Sequence, residues 1–396
     1  MMETGRKIKK MDEKLKNGSK HKNGISLKNS TATDKKAKPK PFWKSIYLDY
    51  FTPFPAQFLT SNAHGLNVCA TFIRRILFIL YVIVPVTVWL NPWIMKEIVF
   101  LRLIHYPFLL NFDDMDYFKL DAALNFRVNE KEVSLGTWHI PPKSLVPNLA
   151  KDRLAHEKSL SSGHPIVLYF HGNTGTRGGV FRLRLYRQLA AQDFHVITFD
   201  YSGFGDSPGQ PTEQGMVEDG KLMLRWLKKF SKSSSIYIWG HSLGCGVATR
   251  MMKELSEEQP NDLPNALILE APFNNVRDAA IGYPLSKLWL YYPFFEKLFI
   301  DPIFEYGLKF ENDKNVVKVK VPVLIMHAVD DAVIPYDLGG KKLYDAVLKN
   351  RPSDFPLVEF RTFDEKDCRC GHYMFRSDNT MPVIRDFMKR VEAVNV

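Results

Sequence analysis

Six short apolar runs in the C-terminal two thirds of the chain constrain the fold most. They are PIVLYF (165–170), FHVITFD (194–200), SIYIWG (235–240), NALILE (265–270), VPVLIMH (321–327) and LVEFRTF (357–363). Each is nearly continuous in aliphatic, β-branched and aromatic residues, which suits strands buried on both faces of a sheet. Amphipathic stretches such as residues 180–192 and 212–230 lie between them. Strand and helix in alternation imply an α/β domain around a mostly parallel sheet, legible from about Glu132 onward.

The third run leads straight into Gly240-His241-Ser242-Leu243-Gly244, followed by a helix-forming stretch. This context gives the pattern G-x-S-x-G a physical meaning. A serine on a sharp, strained strand-to-helix turn projects its hydroxyl above the sheet. Glycines two residues to either side remove side chains that would clash there. Ser242 is the candidate nucleophile, and an ordinary turn is the alternative reading. A serine hydroxyl needs a base, and the base needs an orienting acid. In this architecture they follow in the order serine, acid, histidine. Asp330 and Asp331 stand in the loop after the fifth run. The spacing Asp331-x-x-x-Pro335 favours Asp331 as the acid, with Asp330 as its competitor. His372 follows the sixth run and is the only histidine beyond the aspartates, so the candidate base has no rival.

The loop His171-Gly172-Asn173-Thr174-Gly175-Thr176-Arg177-Gly178-Gly179 follows the first run. A Gly-rich loop there can aim a backbone N–H at a developing oxyanion. The candidate donors are the amides of Asn173 and Leu243. The loop lacks the spacings of a dinucleotide fingerprint or a P-loop, and residues 203–209 read as a turn, so no nucleotide cofactor is expected. The four cysteines, Cys69, Cys245, Cys368 and Cys370, are too few and scattered for a zinc site or a disulfide framework. Cys368 and Cys370 stand just before the base, either as redox-sensitive groups or as inert free thiols. Arg177 is a candidate contact for an anionic head group, or a structural charge that fixes the loop. Residues 273–319 are too long for a simple crossover and rich in aromatics. They read as a helical lid with an apolar inner face, against the alternative of a core helix.

Residues 76–95 form a run of 20 without a charge, the length of a membrane-crossing helix. Arg74, Arg75 and Lys96 flank it, and Tyr81, Trp89 and Trp93 suit the interfaces. A buried core helix is the alternative. Residues 98–110 are apolar but carry Arg102 and His105, and read either as an interfacial stretch or as packing on the body. Residues 1–40 are Lys-rich and poor in large apolar residues, the composition of a disordered tail without a signal peptide or a mitochondrial presequence. The net charge is +11, and residues 1–75 hold 16 Lys/Arg against 5 Asp/Glu, so the tail carries all of it. That removes the case for a nucleic-acid partner. The charge instead keeps the tail cytosolic by the positive-inside rule. The two sequons, at Asn17 and Asn29, then lie on the side where they are not used. The expected organisation is a tail at 1–73, a signal anchor at 74–96, a membrane-proximal linker at 97–131 and a catalytic domain at 132–396.

Together these residues resemble the α/β-hydrolase fold, with a helical lid and a preceding transmembrane helix. The strings HGNTGTRGG, FDYSGFGDSPGQPTEQG, YIWGHSLGCGVAT, LILEAPFNNVRDAA and MHAVDDAVIP resemble the lysophosphatidylserine lipase/monoacylglycerol lipase branch of the α/β-hydrolase-domain proteins. The resemblance covers about residues 70–390. It implies a membrane-bound serine hydrolase of the endoplasmic reticulum with a luminal site and no cofactor. Its implied substrates are lysophosphatidylserine and monoacylglycerols. Ser242, Asp331 and His372 would be nucleophile, acid and base. The chain departs from that branch around the base, where it reads Cys-Arg-Cys-Gly-His-Tyr and the branch usually has no paired cysteines. A thioesterase, amidase or peptidase on the same scaffold is an alternative, as is a catalytically silent lipid-binding scaffold. The signature of the last, a missing triad residue, is absent from the sequence.

Overall fold

The computed structural model describes residues 62–101, 110–120 and 122–394. Of the disordered tail expected over 1–73, the part up to residue 61 lies outside the described residues, as do both sequons and residues 102–109 of the apolar stretch; from Asn62 the chain is helical, which corrects the expectation for 62–73. The chain divides into two compact units, Met1–Arg75 and Ile76–Val396.

All six apolar runs are strands of one sheet. They are β3 (Ile166–Phe170), β4 (His195–Phe199), β5 (Ile236–His241), β6 (Ala266–Glu270), β7 (Val323–Ala328) and β8 (Val358–Phe363). A preceding hairpin, β1 (Leu124–Glu130) and β2 (Val133–Ile140), completes an eight-stranded sheet of order β1-β2-β4-β3-β5-β6-β7-β8. The strands from β3 onward are parallel, and the hairpin is antiparallel. The sheet therefore begins at Leu124, ahead of the Glu132 at which the alternation becomes legible. The reason is that β1, LNFRVNE, is a partly solvated edge strand and lacks the continuous apolar run of a two-face-buried one.

Side chains alternate between two cores, one on each face. In β3, Ile166, Leu168 and Phe170 join one cluster while Val167 and Tyr169 join the other. In β5, Ile236 and Ile238 oppose Tyr237 and Trp239 in the same way. Among the helices, α1 (Asn62–Phe78), α2 (Val84–Leu90) and α3 (Trp93–Phe100) precede the sheet. The crossovers include α4 (Val180–Ala191), α5 (Glu213–Lys228), α6 (Leu243–Glu258) and α7 (Gly340–Asn350), and α8 (Thr380–Val394) follows β8. Helix α5 starts where Thr212 accepts a hydrogen bond from the Gly215 amide (2.9 Å). The register pairs Phe170 with Gly240, which brings the C-terminal ends of β3 and β5 side by side. The strand order reverses around β3, and ligand sites of open α/β sheets form at such a point.

One helical stretch, Val68–Leu90, is long and apolar enough to cross a membrane, and it is a candidate single-pass anchor. Ile79, Val82, Val86, Trp89 and Leu90 are exposed on it, so it is not the core helix of the α/β domain. It lies N-terminal to the expected 76–95, because Asn91 and Pro92 break the helix after Leu90. A wide turn at Ile79–Ile83 sends the Val84 amide back to the Ile79 carbonyl. The Leu80 carbonyl instead accepts the indole N–H of Trp289 (2.8 Å), and Tyr81 stacks on Tyr292. Both partners belong to the 273–319 insertion, a set of short helices between β6 and β7. At the end of α3, Phe100 is fully buried, edge-on to Phe204. In the described part of residues 98–110, packing on the body therefore holds at Phe100.

At the end of the sheet opposite β5's C-terminus, three buried histidines are joined. His139 Nε2 lies 2.9 Å from His195 Nδ1, and His139 Nδ1 lies 2.8 Å from His156 Nδ1. Burial depresses all three, His156 to about 4 and His195 to about 3, with mutual repulsion adding at His139. The unfolded histidines protonate first, near 6.5, so the contribution to stability is intact above that pH and lost as pH falls below it. The melting temperature is expected to drop as pH is lowered from about 7 to about 5. A flat profile over that range would contradict the neutral cluster. Separately, Phe100→Ala should cost about 3–5 kcal/mol, read from denaturant midpoints of the full chain in detergent.

Candidate active site

Strand β5 ends at His241, and the next residue turns sharply. Ser242 has φ 51° and ψ −116°, a conformation costly for a residue with a side chain. Two hydrogen bonds hold it there: its amide donates to the Glu270 carbonyl (3.0 Å), and its carbonyl accepts from the Cys245 amide (2.9 Å). The flanking glycines are required by space. A Cβ on Gly244 would lie 2.0 Å from the Phe170 carbonyl oxygen, and one on Gly240 would lie 2.6 Å from that of Gly244. A Cβ on Gly172 would lie 3.2 Å from that of Ser242, so the loop after β3 passes directly beside the serine.

Leu243 is the first residue of α6, and its amide is among those a helix leaves without an internal acceptor. Asn173 sits in the loop after β3. Its Nδ2 donates to the Val99 carbonyl at the end of α3, and its Oδ1 accepts from the Thr174 amide (2.8 Å). The loop is organised by a residue that sequence reasoning missed. Arg182 of α4 is buried and donates to the carbonyls of Gly172 (2.8 Å), Asn173 (3.2 Å), Thr174 (2.8 Å) and Thr176. One guanidinium thereby fixes the loop backbone. Nothing in the local pattern distinguishes this arginine from the others on the helix.

Arg177 is not placed to meet a head group. It is fully buried, its Nη1 donates to Asp200 and Asp206, and its guanidinium lies 3.9 Å from the Phe112 ring centroid. Its Nη1 and Nη2 are both engaged within the protein, which fits the reading of a charge that fixes the loop.

His372 and Asp331 meet. His372 Nδ1 lies 2.7 Å from Asp331 Oδ2. A carboxylate only accepts, so Nδ1 carries the proton and Nε2 is the basic nitrogen. Asp331 Oδ1 accepts from the amides of Val333 (2.8 Å) and Ile334 (2.9 Å). Burial pushes the Asp331 carboxyl up, but hydrogen bonds with His327 and His372 outweigh it and hold the group well below the usual carboxylate range. Asp330 is exposed and takes a different role: its Oδ1 accepts from the Gly371 amide (2.9 Å) and so ties down the base loop. His241 ties the same loop to the elbow, through Nε2 to the His372 carbonyl (2.9 Å) and through its ring stacked on Tyr373. It is depressed, by burial first and the neighbouring His372 next, and stays neutral.

The cysteines before the base are not free thiols. Cys368 and Cys370 form a disulfide with a Cα–Cα distance of 5.1 Å, which the bend of this loop permits. Expecting free thiols from so few cysteines missed a local pair that needs no framework.

Residues 162–314 match the model of the serine aminopeptidase S33 family, Hydrolase_4. Lysophosphatidylserine lipase ABHD12 of Xenopus tropicalis is 42% identical over 316 residues, 79% of this chain and 81% of that protein. The protein of the same name from Bos taurus is 40% identical over 326 residues, 81% of each. The chain belongs to the ABHD12 family of α/β-hydrolases. Protein ABHD12B of Homo sapiens, 38% identical over 75% of this chain and 83% of that one, falls in the same group. Two solved structures share the fold at low identity. An α/β-hydrolase of Vibrio vulnificus matches with a TM-score of 0.55 and 15% identity, covering 76% of this chain and 93% of its own. An esterase of Pyrococcus furiosus matches at 0.52 and 17%, covering 73% and 97%.

The two adjacent aspartates of this ABHD12-family chain can be separated by experiment. Asp331→Asn should lower kcat by about 10⁴, the cost of losing the base's tautomer. Asp330→Asn, which loosens a loop, should stay within about tenfold of wild type. Equal losses would contradict the assignment.

Proposed function

We propose that the chain is a membrane-anchored serine hydrolase that cleaves the acyl ester of lysophospholipids, lysophosphatidylserine foremost, and of monoacylglycerols. The observation that carries the chemistry is the strained Ser242 turn, tied through His241 to the loop of a histidine whose Nδ1 is held by a buried carboxylate. His372 takes the Ser242 proton and Ser242 attacks the ester carbonyl. The amides of Asn173 and Leu243 receive the oxyanion, and Asp331 stabilises the imidazolium. His372 then protonates the departing glycerol oxygen, and water releases the acyl group by the same steps in reverse. No step asks for a metal or cofactor.

The relatives' name supports the head group. The surface between anchor and insertion, away from Ser242, is apolar as a lipid-facing surface would be. A cavity of about 290 Å³ is lined there by Pro85, Val86 and Trp89 on one side and Tyr292, Phe294, Lys297 and Leu298 on the other. Tyr291 and Phe294 are largely exposed beside it, as lid residues facing lipid would be. We place the tail in the cytosol and the catalytic domain in the lumen of the endoplasmic reticulum, from the tail's charge and the family resemblance. The name of the matching family model favours a second reading, an aminopeptidase on the same residues.

The test is hydrolysis of lysophosphatidylserine, a monoacylglycerol and an aminoacyl amide by the full chain and by Ser242→Ala. Wild type is expected to cleave the two lipids, with activity falling by at least about 10³ in the variant. Equal activity in both proteins would sink the proposal, and cleavage of the amide alone would favour the aminopeptidase.

A further inference from the structure

Glu270 is a buried acid for which the acyl-transfer steps have no use. It closes β6, is 1% exposed, and has no cationic partner among the described residues. Its carboxyl oxygens go in different directions. Oε2 accepts the indole N–H of Trp239 (3.0 Å), and Oε1 accepts the backbone amide of Met374 (2.9 Å). Its own carbonyl accepts the amide of Ser242 (3.0 Å). One residue therefore touches the serine turn through its backbone and, through its side chain, the base loop two residues beyond His372.

We propose that Glu270 is a positioning residue that sets the base loop against the nucleophile turn, and that it does so as an ionised carboxylate. The inference rests on the reading of Ser242 and His372 given above. Both side-chain partners are N–H groups that can only donate. An ionised carboxylate accepts from both, one donor on each oxygen. A protonated one carries an O–H that neither of the two donors can accept. The hold on Met374 is therefore tightest when the charge is present.

That charge is costly here. Burial pushes the Glu270 carboxyl up to about 7, against the lowering effect of the Trp239 and Met374 hydrogen bonds. The titratable groups facing it are Tyr169 of β3, Cys245 of α6 and Tyr373 of the base loop, each raised, first by burial, and each neutral at that pH. The unfolded chain ionises this acid first, so its contribution to stability falls as pH rises from about 4.5 to about 7. A neutral amide of the same shape would turn an N–H₂ toward one of the two donors. The acid adds a carboxylate that matches two donors.

The experiment compares full-length wild type, Glu270→Gln and Trp239→Phe in detergent, against a lysophospholipid over about pH 5.5–9 and by fluorophosphonate labelling of Ser242. Glu270→Gln keeps the shape and turns an N–H₂ toward one donor at every pH. Its kcat at about pH 8 should fall about tenfold with KM within about twofold. Its melting temperature at that pH should not fall. The acid limb of log kcat should become shallower in Glu270→Gln, through loss of the Glu270 ionisation. Trp239→Phe keeps the Met374 bond and removes one donor that favours the charged form. It should move the Glu270 limb to higher pH and keep the plateau. Unchanged labelling and kcat in Glu270→Gln, a loss of kcat that follows loss of fold, or an unmoved limb in Trp239→Phe would overturn the proposal. If wild type itself neither labels nor turns over, the reading of the site fails and takes this inference with it.

Discussion

The turn at Ser242 is the constraint on which the rest of the site depends. A side-chain-bearing residue at φ 51° is stable only where its surroundings over-determine it. Here a strand, a helix N-terminus and the neighbouring carbonyl of Glu270 all converge on it. The Phe170–Gly240 register then brings the loop after β3 so close that a methyl group on Gly244 would enter the Phe170 carbonyl. Candidate oxyanion amides and serine are thus neighbours by sheet geometry, before any side chain contributes.

The base arrives by another route. His372 lies beyond β8, two strands away from β6, and the loop that carries it is tied down at several points. Asp331 holds its ring, Asp330 holds Gly371, His241 holds its carbonyl and Glu270 holds Met374. A disulfide closes the segment just before it. Fixing an imidazole to within a fraction of an ångström requires this kind of redundancy, since each single hydrogen bond is worth only about 1 kcal/mol net.

Much of this was legible in the sequence, and the parts that were not share a cause. The six inner strands announce themselves because burial on both faces demands unbroken apolar runs. β1, half-solvated, does not. Ser242, Asp331 and His372 could be singled out as candidates because a strained turn, an acid after a strand and a lone late histidine leave marks in spacing. Arg182, His241 and Glu270 left none. Each acts on backbone atoms of a loop outside its own element, and the identity of such a residue depends on where the loop comes to lie. Arg177 was ambiguous for the same reason: an arginine in a Gly-rich loop reads alike whether it faces ligand or its own carboxylates. The apolar span was recognised, but its end was set by Asn91 and Pro92, where hydropathy alone would have run on to Met95.

The Asn173 side chain is fastened to Val99, one residue before Phe100 plugs the core. The candidate anchor is therefore more than a tether from which a catalyst hangs. The peptide that emerges from it forms part of the wall behind a candidate oxyanion donor. Removing the chain through Val99 along with the anchor would not set the same catalyst free in solution. It would yield one with a wall removed, its Asn173 loop opened to water on the side that now faces Val99.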